Sequence, residues 1–273
     1  MAAFILLLGL MAQIVMPGDA ACLGFISEVR MPLDVYIAGM ETEGSMSMSG
    51  ANGLLYLNGP GIPRLKTGDT YRVVRPEGEV SDPYSHEWIG IYYKELGTVR
   101  IETGGKDFGM AVVVSSCRPM VKGDILLPFT PRPAVSFQGK LSDRYTPFVE
   151  NGLQSYILFG KDDLHELAAG NFCFVGIGSR NQVRAGDRFT IYRLQPPFNP
   201  QELDLAGTPT YASYGKIDDG RYLGSLAQIL STRSLPPRPI GDLVVIDVQE
   251  KTATAKIINS LYEVHPGDVV VRR

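Results

Sequence analysis

Two stretches of the chain repeat each other without a gap, and no other feature constrains the fold as strongly. "LYLNGPGIPRLKTGDTYRVVR" (Leu55 to Arg75) lies over "CFVGIGSRNQVRAGDRFTIYR" (Cys173 to Arg193) at a constant offset of 118. Leu57 meets Val175, Leu65 meets Val183, Tyr71 meets Phe189, and Gly68, Asp69 and Arg75 recur as Gly186, Asp187 and Arg193. A second pair of blocks, Gly97 to Leu127 and Gly241 to Val271, matches at an offset of 144. Gly97 and Gly123 recur as Gly241 and Gly267, and Ala111, Ser116 and Asp124 recur as Ala255, Ser260 and Asp268. Two ungapped blocks in the same order read as a tandem duplication. The offset grows because the connector after Arg193 is longer in the second copy, and surface connectors tolerate such insertion.

The repeated unit is written in strands. In "DTYRVVR", Tyr71, Val73 and Arg75 share one face, with Arg72 and Val74 on the other. "GDLVVIDV", "TATAKIINS" and "GDVVVRR" are short β-branched runs punctuated by turn residues. Val112 to Val114 form a continuous apolar run, which predicts a strand buried on both faces. Gly 30 and Pro 19 fit such a chain of strands and turns. Helical periodicity occurs only in short pieces, around "DDLHELAAG" and "LGSLAQILS". The expected fold is all-β: two duplicated small antiparallel β-barrel modules, each of five or six strands, joined by a Pro-rich linker. The boundaries are module 1 at 26–129, the linker at 130–149 and module 2 at 150–273.

Residues 1–21 form a separate segment. Its apolar run from Phe4 to Met16 is short for a bilayer span but suits a signal-peptide core, and Ala20 or Ala21 offers a cleavage point. No Lys or Arg precedes Arg30, so the usual basic start of a signal is missing. A lipid anchor on Cys22 is the alternative, although Asp19 stands where that motif wants Leu; a buried N-terminal strand or helix is another. The mature chain is thus expected to be exported, to the periplasm or cell envelope, without a stable membrane span. Mean hydropathy of +0.01 excludes a multi-span protein. Lys+Arg 26 against Asp+Glu 29 gives a formal net charge of −3, no basic field for nucleic acid. The three cysteines, Cys22, Cys117 and Cys173, are odd in number and widely spaced, which gives no disulfide framework and no metal pattern. Cys117 and Cys173 border apolar runs and read as buried thiols rather than a bridge between them.

The Gly-Asp pair recurs at four like positions: Gly68-Asp69, Gly123-Asp124, Gly186-Asp187 and Gly267-Asp268. Each follows an aliphatic residue and precedes a strand. Gly supplies positive φ without steric cost and Asp caps the corner through nearby N–H groups, so these are structural turns rather than a site. His86, His165 and His265 lack ligand spacing, and "GPGIP" and "GIGS" are neither a dinucleotide nor a phosphate loop. No metal, cofactor or catalytic constellation is expected; a hydrolase built on Glu87, Asp107 or Asp218 has no paired spacing behind it. "DPYSHEWIGIYYKELG" gathers Tyr84, Trp88, Tyr92 and Tyr93, including the only tryptophan. Those aromatics form either a platform for a glycan or partner, or a flap whose Trp88 closes one end of the first barrel. The second copy's connector also carries tyrosines, Tyr211, Tyr214 and Tyr222.

The run "V-x-x-G-D-R-F-x-I-Y-R", followed later by "I-G-D-L-V-V-I-D-V" and "V-x-x-G-D-V-V", resembles β-rich repeats of exported bacterial envelope proteins, often encoded behind a LysM domain. It is also similar to the C-terminal domain of flagellar assembly protein T. The chain shows no LysM-like segment between leader and first copy, and has no room for the flagellar protein's other domains. The resemblance implies a non-enzymatic scaffold or interaction protein of the bacterial envelope, with an envelope protein or peptidoglycan as partner. The alternative is a carbohydrate- or peptidoglycan-binding module that uses the aromatics around Trp88.

Overall fold

A computed structural model describes residues 13–15, 22–41, 52–132, 134–137, 139–195 and 235–273. Most of the 1–21 segment, and with it the cleavage point, lies outside the described residues, as do "LGSLAQILS", Asp218 and the three tyrosines of the second connector. The described chain is all-β. Its strands are β1 (Gln13–Val15), β2 (Phe25–Ser27), β3 (Tyr36–Met40), β4 (Leu54–Asn58), β5 (Thr70–Ser81), β6 (Trp88–Thr103), β7 (Gly109–Ser116) and β8 (Ile125–Pro128). There follow β9 (Val135–Phe137), β10 (Gln154–Gly160), β11 (Phe172–Val175), β12 (Arg188–Arg193), β13 (Arg238–Val248), β14 (Ala253–Ser260) and β15 (Val269–Arg272). "DDLHELAAG" does not form a helix: only a 3₁₀ turn at Lys161–Asp163 begins it, and Leu167 then bridges to Val264.

The C-terminal strands close into a six-stranded antiparallel barrel in the order β10-β11-β14-β13-β12-β15. The N-terminal strands form a seven-stranded sheet, β2-β6-β5-β8-β3-β4-β7, in which β6 also pairs with β7. Alternation places one side of each strand in a core. Inside the barrel lie Ile157, Cys173, Val175, Phe189, Ile191, Leu243, Val245, Ala255, Ile257 and Val270. The N-terminal core holds Ile37, Leu55, Leu57, Val73, Val99, Ile101, Ala111, Val113 and Leu126, with Tyr71 against it. Positions that match at the two offsets therefore point inward in both halves, as with Leu57 and Val175, or Met120 and Val264.

The run Val112 to Val114 is buried on one face only. Val113 is fully buried, whereas Val114 is 52% exposed. β7 is one wall of a curved sheet, with core on its inner side and solvent outside.

The cysteines depart most from expectation. Cys22 and Cys117 form a disulfide with Cα atoms 6.4 Å apart, so Cys117 is not a buried thiol. Local sequence cannot reveal a partner 95 residues away. Cys173 is a free buried thiol whose burial pushes its pKa up to about 12.

The segment 130–149 is fastened to the barrel. Its β9 pairs with β1, and Val135 and Phe137 pack with Leu23, Val244 and Ile246. Ser142 donates to the fully buried Asp242 through both its N–H (2.6 Å) and its hydroxyl (2.7 Å). Tyr192 donates to the Pro147 carbonyl at 2.7 Å.

Candidate functional site at the seam between the sheets

Beyond their pairing with β8 and β7, β5 and β6 continue as a hairpin edged by β2; Arg75–Ser81 pairs with Trp88–Lys94. Its tip is tied by Asp82, whose Oδ1 accepts the N–H groups of Tyr84 (2.7 Å) and Ser85 (2.8 Å), a short polar side chain capping a turn. This hairpin lies against the C-terminal barrel. Tyr84 donates its hydroxyl to the Gly267 carbonyl at 2.6 Å and meets the Tyr156 ring edge-on at 4.8 Å. Tyr92 packs edge-on against Phe159 (5.2 Å) and Phe174 (5.0 Å), in a cluster with Ile26, Ile89 and Leu158. Burial raises the pKa of the Tyr92 phenol, and its hydroxyl has no hydrogen-bond partner among the described residues. Tyr93 is buried too, stacked on Phe25 with its hydroxyl accepting the Met31 N–H.

Of the four candidate aromatics, then, Tyr92 and Tyr93 are interior, Tyr84 is half-buried and bonded, and Trp88 is 43% exposed. Trp88 belongs to none of the buried clusters among the described residues. The structure does not gather the four rings on one outward face.

Ion pairs complete the seam. Arg132 bridges the halves: its Nη2 donates to Glu95 on β6 (2.8 Å) and its Nε to Asp247 on β13 (3.1 Å). Burial alone would lower the Arg132 pKa, but the two carboxylates outweigh it and the net shift is upward. Glu28 pairs with Arg180 and Lys251, and Arg118 with Asp162. Thr252 and Thr254 donate to the carbonyls of Ile26 and Gly24.

The four glycines of the Gly-Asp corners all sit at positive φ, +92° at Gly68, +93° at Gly123, +96° at Gly186 and +89° at Gly267. Asp124, Asp187 and Asp268 each accept the N–H of the residue three before, Val121, Arg184 and His265. Asp69 is exposed, and its corner is closed by backbone bonds.

Three of these carboxylates also pair with an arginine: Asp187 lies 3.6 Å from Arg272, and the other two are gripped by a fork. Arg75 forks onto Asp124 at 2.7 and 2.8 Å and reaches the Pro119 carbonyl at 3.2 Å. Arg193 forks onto Asp268 at 2.9 and 2.9 Å and reaches the Glu263 carbonyl at 2.7 Å. The hydrogen bonds to Asp124 and Asp268 raise the pKa of each arginine. Sequence reading missed these clamps. The signal was present, since the arginine and the aspartate both recur, each at its own block's offset.

Glu87 and Asp107 are exposed, and among the described residues no group of three or more His, Cys, Asp or Glu converges. None of the described helical turns is long and apolar enough to cross a membrane. No protein-family model matches the chain, and no curated protein is significantly similar to it.

Proposed function

We propose that this chain is an exported, non-enzymatic scaffold or interaction protein of a bacterial cell envelope, built from two copies of one barrel module. The observation that carries the reading is the seam, where the hairpin of the first copy is packed, hydrogen-bonded and ion-paired to the second. Aromatic rings and charges are committed there to holding two units in one orientation, as a scaffold needs. The duplication is supported by contacts that recur at the sequence offsets: Gly68 donates to the Ile101 carbonyl and Gly186 to that of Val245, while Cys117 donates to Leu96 and Leu261 to Ile240. Export is supported by the Cys22–Cys117 disulfide, because such bridges persist in oxidising compartments. A thiol in that bridge is not available for lipid attachment.

A second reading rests on Trp88: a half-exposed indole is a surface on which a sugar face can stack, as in a carbohydrate- or peptidoglycan-binding module. The two readings separate in one experiment. Cells expressing the tagged chain are fractionated, and the purified protein is then sedimented with sacculi. The scaffold reading expects an oxidised protein in the envelope fraction that does not sediment with bare sacculi. Sedimentation abolished by Trp88→Ala favours the glycan reading, and a reduced, cytosolic protein overturns both.

A further inference from the structure

A cleft of about 490 Å³ opens between the outer wall of β5, the segment after β8, the β11–β12 connection and the end of β13. Arg72, Arg132 and Arg184 all line it, with Ser179, Asp247 and Gln249. Asp247, the one carboxylate in the lining, is engaged by Arg132. Arg72 is different. Its guanidinium lies 4.8 Å over the Phe25 ring; Glu95 and Asp247 act on it electrostatically, but among the described residues no carboxylate forms an ion pair with it and its buried Nε has no hydrogen-bond partner. An arginine donor left unsatisfied by the protein is costly to bury. Arg184 is exposed, and its side chain makes no ion pair or hydrogen bond among the described residues.

The matching place in the C-terminal half shows what such a position can hold. Arg72 faces Thr98 across β5 and β6; at the two offsets these become Thr190 and Asp242, which face each other across β12 and β13. There the buried carboxylate of Asp242 receives the N–H and hydroxyl of Ser142, a filled polar position on the outer wall. In the N-terminal half the charge is reversed, and no described segment hydrogen-bonds the buried Nε of Arg72.

We propose that the cleft binds a small ligand through an oxyanion group, a carboxylate or phosphate, held between Arg72 and Arg184. The guanidinium fork matches both groups geometrically, and desolvation at the wall strengthens the contact. This site is independent of where the protein resides.

The test is calorimetric titration of the full chain with inorganic phosphate and, separately, with succinate. Saturable binding of at least one probe is expected, weakened at least about tenfold by Arg72→Gln and by Arg184→Ala, as loss of a charge-assisted hydrogen bond implies. Arg184 is exposed, so its variant keeps the fold and guards against a misleading loss from unfolding at Arg72. Binding of phosphate alone assigns a phosphate-bearing ligand, and binding of succinate alone a carboxylate. No saturable binding of either probe, or wild-type binding in either variant, overturns the site.

Discussion

Where β5 meets β6, the N-terminal sheet carries Arg72 opposite Thr98; where β12 meets β13, the barrel carries Thr190 opposite Asp242. The backbone pairing is the same and the charge is inverted. One residue further on, Val73 and Ile191 point into their cores and stay apolar. Inward positions answer to packing, which both halves must satisfy alike, whereas outward ones answer to whatever lies against the wall. The same holds at Cys117, whose counterpart at the offset of 144 is Leu261, 37% exposed. The disulfide is not needed to close that half, since backbone bonds from Ile37 to Asp124 and from Gly123 to Ile37 match those from Ile157 to Asp268 and from Gly267 to Ile157.

That contrast can be broken most strongly at the disulfide. Closing a loop with a sequence separation of 95 residues stabilises by roughly 4–5 kcal/mol in the chain-entropy account. Denaturant titration of the Cys22→Ser, Cys117→Ser double variant should show a loss of that order. Hydrogen exchange should place the loss in the N-terminal sheet, and equal loss in both halves would contradict the asymmetry.

The arginine clamps test likeness instead. Asp124 and Asp268 are both nearly fully buried, so Arg75→Met and Arg193→Met each strand a carboxylate, at a cost of about 3 kcal/mol. Markedly unequal losses in the two variants would show that the clamps are alike in geometry only.

Glycines grade the comparison more finely. A Cβ at Gly97 would lie 2.1 Å from the Ser115 carbonyl oxygen, and one at Gly241 would lie 2.3 Å from that of Asn259, a residue at the same offset. Alanine at either should cost about 2–3 kcal/mol by overpacking. Around Gly68 and Gly186 there is open space, so alanine there meets only the positive-φ penalty, about 1 kcal/mol. Thermal melts of the four variants should fall into those two pairs.

The smallest effect is at Cys173, which occupies the inward site that Leu55 holds in the other half. Its thiol titrates near 12 when folded, above its ordinary value of about 8.5. Folding therefore favours the neutral thiol. That contribution is complete below about pH 8.5 and is lost as pH rises towards 12. Iodoacetamide at pH 9 should leave Cys173 unlabelled in the native protein and label it after unfolding.

Much of the strand layout was legible in the chain itself. Period-two alternation put Tyr71 and Val73 on one face, and the Gly-Asp pairs marked corners where the backbone needs positive φ; both signals are local. The reading failed at Val112 to Val114, because an apolar run does not say whether a second layer covers it. It failed at Cys117, because pairing depends on a residue 95 positions away. At the aromatics it could list Tyr84, Trp88, Tyr92 and Tyr93 but not sort them, since burial of Tyr92 depends on Phe159 and Phe174 in the other half. The sequence by itself determined where strands run and where they turn, because sterics and alternation act within a few residues. Only the tertiary structure decided which cysteines join, how the hairpin seats on the barrel and where Arg72 is left facing a cleft, because those outcomes depend on distances between residues the chain keeps far apart.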